Sequence, residues 1–349
     1  MRRSLRALAY KIELIAIWVV RILFAPGHFG VNVFKRIRYA VFGGFMPDQV
    51  AMYSLDRRRK KEYLSEFDWH RSRRINEPYS AMLNNKLVFA ELVSRYCPTP
   101  EVYAVKQHGS VRGLHGRDIR GCRDLLPLLN ELGAFVVKPV CAGKGNDVSI
   151  VFAAEEGIVV NGEPSDGETL IKKLEKSKEW LVCAYAHQAA YLQEIYPGSA
   201  NTIRLITLYD AEKGTAEPAY AVQRLGASWT GAVDNGSKGG LIAKVDMETG
   251  TLSEARSLHS LEVWERHPDT NAPIKGTVIP DWQAIRDGVT AVANELPYLD
   301  FIAWDILPTA DGFTVIEANT SSGVNILQVF SPERNGRLGA FYREHGVIK

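Results

Sequence analysis

The spacing of apolar residues changes near residue 85. Before that point the spacing is mainly helical, and after it short apolar runs of strand length are separated by turn residues. The pattern predicts strands at 134–137, 148–152, 180–184, 202–209, 219–224, 242–245, 301–307 and 313–318, and helices at 86–93, 125–132, 167–177 and 281–295. Strands and helices mixed without regular alternation predict an α+β fold with antiparallel sheets.

The composition is that of a folded globular protein. The chain has 349 residues, of which 46% are hydrophobic and 23% are charged. That length allows about two or three domains, and the composition excludes a disordered chain, a coiled-coil rod and a disulfide-stapled miniprotein. The cysteines Cys97, Cys122, Cys141 and Cys183 have no CxxC spacing, so neither a zinc site nor a redox pair is predicted. Reduced thiols are typical of the cytoplasm, which is the expected location.

Residues 1–84 are predicted to form a basic helical region. Residues 1–85 hold 16 Lys and Arg against 7 Asp and Glu, although the whole chain has a net charge of only +2. The apolar run 14–20 ends at Arg21, whereas a membrane-spanning helix needs about 20 apolar residues. We therefore expect a basic amphipathic segment within residues 1–40. It either makes a peripheral contact with the inner face of an anionic membrane, or packs on the rest of the protein, or forms a dimer contact.

A second basic feature is the cluster at residues 57–61, Arg-Arg-Arg-Lys-Lys. No recognisable nucleic-acid-binding motif accompanies it, so a solvated helix face is the preferred interpretation and no nucleic-acid partner is predicted. Binding of a polyanionic substrate is the alternative role.

The most informative stretch is a predicted hairpin over residues 300–319, with a turn at Asp311-Gly312. Asp305 lies on the first strand, and Glu317 and Asn319, two residues apart, project from one face of the second. Burying two carboxylates without a cation is costly, and Mg²⁺ prefers one or two carboxylates together with waters and phosphate oxygens. The hairpin therefore predicts a magnesium site. The alternative is a hairpin whose polar residues simply face solvent.

A second motif combines a lysine with a glycine-containing loop. Lys138 directly follows the predicted strand 134–137, and residues 142–147 come after it with the sequence Ala-Gly-Lys-Gly-Asn-Asp. A lysine beside such a loop places its charge on a phosphate while backbone N–H groups close over it. The spacing is neither that of a P-loop nor that of a Rossmann fingerprint. The alternative is an ordinary turn between two strands.

Together these motifs resemble the ATP-grasp superfamily, from about Asn85 to about Asn325. The resemblance implies two α+β subdomains that enclose a nucleotide, residues 85–180 with the phosphate-covering loop and residues 181–349 with the metal site, after a mostly helical N-terminal region. It also implies ATP and two Mg²⁺ ions as cofactors.

The resemblance assigns roles to individual residues. The nucleotide-binding residues are Lys86, Lys138, the loop residues Gly143, Lys144 and Gly145, and the hinge residues Cys183, Ala184, Tyr185 and Ala186. The metal ligands are Asp305, Glu317 and Asn319. Arg204 contacts the γ-phosphate and the substrate, and Asn235 and Lys238, in an Asn-x-x-x-Gly-Gly segment, hold the substrate carboxylate. The hinge lacks the glutamate that it often carries, and residues 1–80 lack the alternating strands of the superfamily's α/β pre-domain.

Within the superfamily, His187-Gln188, residues 196–204 and the Gly-Gly segment are most similar to the sugar-transfer-associated family, which is related to α-L-glutamate ligases. This resemblance implies an ADP-forming carboxylate–amine ligase with an acyl-phosphate intermediate, which modifies a sugar or glycan precursor in surface polysaccharide biosynthesis. Its partners are a carboxylate and an amine substrate. The alternatives are an ATP-grasp kinase that phosphorylates a hydroxyl and a nucleotide-binding scaffold without ligase activity.

Overall fold

The computed structural model describes residues 2–57, 59–141 and 147–349, with side chains described from residue 8 onward. Within those ranges the strands form two seven-stranded sheets, and neighbouring strands pair antiparallel. The α+β class with antiparallel sheets is therefore confirmed. The loop residues Gly143, Lys144 and Gly145 lie outside the described residues.

The first sheet has the order β2-β1-β7-β3-β4-β5-β6. Its strands are β1 (Val102–Gln107), β2 (Ser110–Gly113), β3 (Ala134–Lys138), β4 (Ser149–Ala153), β5 (Ile158–Val160), β6 (Glu163–Ser165) and β7 (Trp180–Ala184). The second sheet has the order β12-β11-β10-β9-β8-β13-β14. Its strands are β8 (Ile203–Asp210), β9 (Thr215–Leu225), β10 (Leu241–Val245), β11 (Leu252–Ser257), β12 (Val263–Trp264), β13 (Phe301–Thr309) and β14 (Gly312–Asn319).

The helices are concentrated before the first strand. The N-terminal ones are α1 (Arg2–Ile17), continued by π-helical turns at Trp18–Leu23, α2 (Val33–Gly43), α3 (Pro47–Met52), α4 (Glu66–Ser72), α5 (Ser80–Asn84) and α6 (Lys86–Val93). The later ones are α7 (Leu125–Leu132), α8 (Gly167–Lys176), α9 (Ala190–Ile195), α10 (Trp282–Asn294), α11 (Asn325–Gln328) and α12 (Arg337–Glu344). Within the described ranges, every helix is too short or too polar to span a bilayer.

Each sheet has its own apolar core, so the chain forms two lobes. In the first lobe, α7 and α8 pack on the first sheet through leucines such as Leu128 and Leu174. In the second lobe, α10 covers one face of the second sheet, and α12 covers the other. The N-terminal region joins the second lobe: Leu64 lies in the same core as α12, and its backbone N–H and C=O bond the side chain of Gln328.

Helix α6 connects the two lobes. Its N-terminus is capped by Asn85, whose side chain accepts hydrogen bonds from the backbone N–H groups of Leu87 and Val88. Leu87 packs against the first sheet, whereas Phe89 and Val93 lie in the core of the second lobe. Because α6 is apolar on both sides, its first residue, Lys86, is held where the lobes meet.

Candidate functional site

Four charged residues lie on four adjacent strands of the second sheet, in the order Arg224 (β9), Arg204 (β8), Asp305 (β13) and Glu317 (β14). Asp305 is directly opposite Arg204 on one side and Glu317 on the other, while Arg224 lies diagonally beyond Val222, the partner of Arg204. Side chains directly opposite in a sheet are close enough to interact. This set of four residues is termed the charged row below.

Asp305 is the centre of the charged row. It is 3% exposed, and both of its oxygens are bonded by Arg204, with Nε 2.5 Å from Oδ1 and Nη2 3.0 Å from Oδ2. Arg224 Nη2 lies 3.4 Å from Oδ2. Burial alone raises the pKa of the Asp305 carboxyl group, but the two guanidinium groups and a hydrogen bond with Glu317 outweigh burial and lower that pKa to about 2. Asp305 is therefore an anion throughout the physiological pH range.

Arg224 and Asp234 belong to this network, although the sequence did not predict them. The Arg224 guanidinium donates to Thr202 Oγ1 and lies 3.5 Å from Asp234 Oδ2 through Nε. Asp234 in turn accepts hydrogen bonds from the backbone N–H and the hydroxyl of Thr202, at 2.8 and 2.5 Å. Burial opposes the charge of Arg224, yet the carboxylates of Asp234, Asp305 and Glu317 raise its pKa. The one sequence signal for Arg224 is a charge at the end of an otherwise mostly apolar predicted strand.

Two lysines lie against β14, Lys86 from the connecting helix α6 and Lys138 from the first lobe. Lys86 Nζ lies 3.2 Å from Glu317 Oε2. Lys138, at the end of β3, donates from Nζ to the backbone carbonyl of Ile316 at 3.3 Å. The pairing of β13 with β14 has a bulge between Glu317 and Val315, which leaves Ile316 outside the regular pairing. Residues of both lobes and of the helix between them therefore contribute to the site.

The net charge of this site favours a polyanion. It contains the cations Lys86, Lys138, Arg204 and Arg224 and the carboxylates Asp234, Asp305 and Glu317, so the balance is +4 − 3 = +1. Low-dielectric walls focus such a field on an incoming ligand. In addition, the contacts to Asp305 and to Ser322 Oγ (3.0 Å) use three of the five N–H donors of the Arg204 guanidinium, so the remaining donors can bind an anion.

The predicted metal ligands fit a hard cation in their chemistry. Asp305 and Glu317 are paired across strands, and Asn319 lies two residues beyond Glu317 on the same face of β14. The Nδ2 atom of Asn319 is buried and has no hydrogen-bond partner among the described residues. The nitrogen and oxygen of a side-chain amide are told apart only by their hydrogen-bond partners, so the buried atom of Asn319 can equally be its oxygen. A buried oxygen that accepts no hydrogen bond is what a metal ligand would offer. In the described residues no three His, Cys, Asp or Glu side chains form a metal cluster, so a site here depends on Asn319.

The hinge residues lie at the edge of the first lobe. The Cys183 side chain is buried in a small core with Leu181 and Leu87. The Ala184 N–H is bonded to the Glu101 carbonyl at 2.9 Å, and Tyr185 and Ala186 follow β7 outside the sheet. The Tyr185 ring contacts the rings of Phe152 and His187, with centroids 4.9 and 4.8 Å apart, and burial raises its pKa.

The structure does not bring Asn235 and Lys238 into contact with the charged row in any described interaction. The Asn235 side chain accepts a hydrogen bond from the Ser237 N–H and so caps the short 3₁₀ turn Gly236–Lys238. Lys238 is exposed on that turn. The turn is nevertheless tied to the site, because Asp234 directly precedes it.

An aromatic recess adjoins this turn. Trp229 is 53% exposed, and its Nε1 donates to the Gly239 carbonyl at 3.1 Å. Gly239 has a φ of +85°, and an added Cβ would lie 3.0 Å from His259 Nδ1 and 3.4 Å from Trp229 Nε1, so the position leaves no room for a side chain. The His259 ring is stacked on the ring of His28 from the N-terminal region, with centroids 3.6 Å apart. His28 Nδ1 in turn lies 2.7 Å from Asp48 Oδ2. Burial and the charge of His28 lower the pKa of His259, so His259 is neutral near pH 7.

Solved structures similar to this chain include several synthetases and ligases at low identity. The ADP complex of PurK, an N5-carboxyaminoimidazole ribonucleotide synthetase, is 11% identical over 70% of this chain and 46% of its own, with a TM-score of 0.41. The ATP-grasp ligase PsnB with a minimal precursor is 14% identical over 78% and 63%, with a TM-score of 0.40. The D-cycloserine synthetase DcsG is 14% identical over 78% and 72%, with a TM-score of 0.42. The chain thus spans about half the length of the first of these structures.

A family comparison is more decisive than these structures. Among curated proteins no match is found. The family model described as sugar-transfer associated ATP-grasp matches residues 70–336, which is more than half of the 349 residues. The match includes Lys86, Lys138 and the whole charged row. The chain therefore belongs to the sugar-transfer associated ATP-grasp family and has an ATP-grasp fold.

Proposed function

We propose that this protein is an ADP-forming carboxylate–amine ligase that modifies a sugar or glycan precursor, with ATP as the phosphoryl donor. The observation that supports it best is the meeting of Lys86, from the connecting helix, and Lys138, from the first lobe, with the charged row and strand β14 of the second lobe. Such a site offers fixed cations to a triphosphate and carboxylates to a divalent cation.

Phosphoryl transfer is the first step of the proposed reaction. Lys86 and Lys138 hold phosphate oxygens as positioned point charges, and residues 142–147 cover them. Asp305, Glu317 and Asn319 would hold Mg²⁺, as two ions, and the metal would neutralise charge on the transferred group. A substrate carboxylate oxygen attacks the γ-phosphorus, the bond to the β–γ bridging oxygen breaks, and ADP leaves. Arg204, oriented by Asp305, stabilises the oxygens of the transferred group.

Amide formation is the second step. An amine attacks the acyl carbon of the acyl phosphate, phosphate leaves, and the amine loses a proton. Closing the cleft excludes water, which protects the acyl phosphate from hydrolysis. Asn235 and Lys238 hold the substrate carboxylate at the Gly-Gly segment, beside the aromatic recess.

We also place this reaction in the cytoplasm, in surface polysaccharide biosynthesis at the inner face of a membrane. The family description, which names sugar transfer, and the basic, apolar residues 1–40 support this location.

The ligase proposal is tested by phosphate release from ATP with uronic acids and amino acids, alone and in pairs, with mass detection of the product. We expect phosphate release only when a carboxylate and an amine are both present, together with a condensed product that has lost one water. A stable phosphorylated product without an amine would identify a kinase instead. If the protein bound ATP but turned it over with no pair of carboxylate and amine, the ligase proposal would be contradicted and a nucleotide-binding scaffold favoured.

The aromatic recess is proposed to contact the acceptor. Trp229→Ala removes an exposed ring next to the Gly-Gly segment, and a lost aromatic contact of about 1 kcal/mol raises the KM for the acceptor by several-fold to tenfold. The KM for ATP should not change, because Trp229 has no described contact with the charged row. Tyr96→Ala, which removes another exposed ring (45% exposed), is the matched control. If Trp229→Ala left the KM for the acceptor unchanged, the aromatic recess would not contact the acceptor.

A further inference from the structure

Exposed apolar side chains are concentrated near the N-terminus. Of the 18 large hydrophobic side chains exposed in the described part of the chain, ten lie within residues 8–42. They are Leu8, Ile12, Ile15, Val20, Phe24, Val33, Phe34, Ile37, Val41 and Phe42. Phe34 is 80% exposed, and Phe24 and Phe42 are each 73% exposed. A patch of this kind on a folded protein indicates an interaction surface.

The helical spacing places these residues on outward faces. At about 100° per residue, Leu8, Ile12 and Ile15 share one face of α1. The opposite face contacts the protein, since Arg74 bonds Glu13 at 2.6 Å and lies 3.8 Å above the ring of Tyr10.

Helix α2 has the same arrangement. Phe34, Ile37 and Val41 share its exposed face, whereas Tyr39 and Ala40 are buried on the other. The π-helical turns and the loop that follow α1 contact α2, because Trp18 Nε1 donates to the Ala40 carbonyl at 3.1 Å and Arg36 Nη2 to the Ala25 carbonyl at 2.7 Å. Both outward faces are therefore parts of one packed unit, and we term residues 8–42 with these side chains the N-terminal face.

The N-terminal face is basic as well as apolar. Lys11, Arg21, Lys35 and Arg38 are exposed on it. Residues 1–42 contain eight Lys and Arg and one acidic residue, Glu13, which is paired with Arg74. An apolar surface surrounded by cations complements an anionic bilayer, in which apolar side chains enter the acyl boundary and cations meet the headgroups. Self-association is disfavoured, because it brings two surfaces of like charge together.

We propose that the N-terminal face docks on an anionic lipid bilayer, lying in the headgroup region without crossing it. This docking does not depend on the ligase chemistry. It brings the N-terminal region, and with it His28 beside the aromatic recess, to the membrane surface.

The test is co-sedimentation of the full chain, without ATP, with vesicles of phosphatidylcholine alone or mixed with phosphatidylglycerol. We expect binding to the mixed vesicles only, weakened by salt because the basic residues act through charge. Phe34→Ser combined with Phe42→Ser should lower the partition constant at least about tenfold, since each buried phenylalanine contributes about 1.5–3 kcal/mol. Leu261→Ser combined with Val263→Ser, which removes two exposed apolar side chains elsewhere, is the matched control and should bind like the unmodified chain.

Three outcomes would overturn the proposal. One is equal binding to both kinds of vesicle, and a second is no binding to either. The third is a dimer in sedimentation velocity without lipid that the phenylalanine variant loses, because the N-terminal face would then bind a second copy. Circular dichroism of both variants establishes that they are folded, and failure of the ligase assay would leave all of these readouts unaffected.

Discussion

Asp305→Ala is expected to lower the free energy of unfolding by about 3–5 kcal/mol and to abolish ATP turnover. The substitution leaves Arg204 and Arg224, whose side chains are each 12% exposed, without the carboxylate that both contact, although Arg224 keeps its contact with Asp234. Removing one partner of a largely buried ion pair costs the desolvation of the remaining charge, here chiefly that of Arg204. Urea denaturation measures the loss, and Asp311→Ala, in the exposed turn of the same hairpin, is the matched control.

The same carboxylate predicts an acid dependence. The pKa of Asp305 is lowered to about 2, below its value in an unfolded chain, so its stabilising contribution is present above about pH 4 and is lost as the pH falls towards 2. The difference in stability between the unmodified chain and Asp305→Ala should therefore shrink below about pH 4. A difference that stays constant through that range, or a variant as stable as Asp311→Ala, would contradict the role given to Asp305.

Glu317→Gln is expected to lower ATP turnover at least about 100-fold while changing the free energy of unfolding by less than about 1 kcal/mol. Glu317 is partly exposed, at 22% of its side chain, and glutamine keeps its shape and a hydrogen-bond acceptor for Lys86. The variant loses a negative charge at the end of β14, where we propose that phosphate oxygens and a divalent cation meet. Phosphate release and urea denaturation separate the two effects.

A matched control for this variant is Glu212→Gln, which neutralises an exposed glutamate in the turn between β8 and β9. Its turnover and stability should equal those of the unmodified chain. If Glu317→Gln retained full turnover, the metal and phosphate roles assigned to the end of β14 would be wrong.

Local chemistry explains which elements could be predicted from the sequence. The hairpin of β13 and β14 was predicted because two apolar runs flank Asp311-Gly312, and α6 because Asn85 is a capping residue before a helical run. The predicted strands and helices are confirmed to within a few residues at their ends. In contrast, six strands were not predicted, namely β1, β2, β5, β6, β11 and β12. Of these, β5 and β6 have three residues each, and so short a run has no readable period.

Only those site residues that belong to a recognisable sequence motif could be predicted. Lys86, Lys138 and the acidic hairpin belong to recognisable segments, and the fold brings them together. Arg224 and Asp234 belong to none, and they meet Asp305 only because the sheet places β9 beside β8 and β8 beside β13, although β8 and β13 are nearly 100 residues apart. Such non-local pairing is set by packing of the whole sheet, which the spacing of residues in one segment does not encode.

The N-terminal region shows a different limit. Its sequence left membrane contact, packing on the protein and a dimer contact open. The structure shows that one face of α1 packs on the protein through Tyr10 and Glu13, while the other face stays exposed. Membrane contact remains a prediction for that exposed face.

Metal binding at the end of β14 is tested most directly by electron paramagnetic resonance of Mn²⁺, used in place of Mg²⁺, with a non-hydrolysable ATP analogue. We expect the chain to bind Mn²⁺ when the nucleotide is present, and the folded variants Glu317→Gln and Asn319→Ala to bind it at least about tenfold more weakly. The two variants remove a carboxylate and the amide whose buried end has no partner among the described residues. Unchanged Mn²⁺ affinity in both folded variants would show that the end of β14 does not hold the cation.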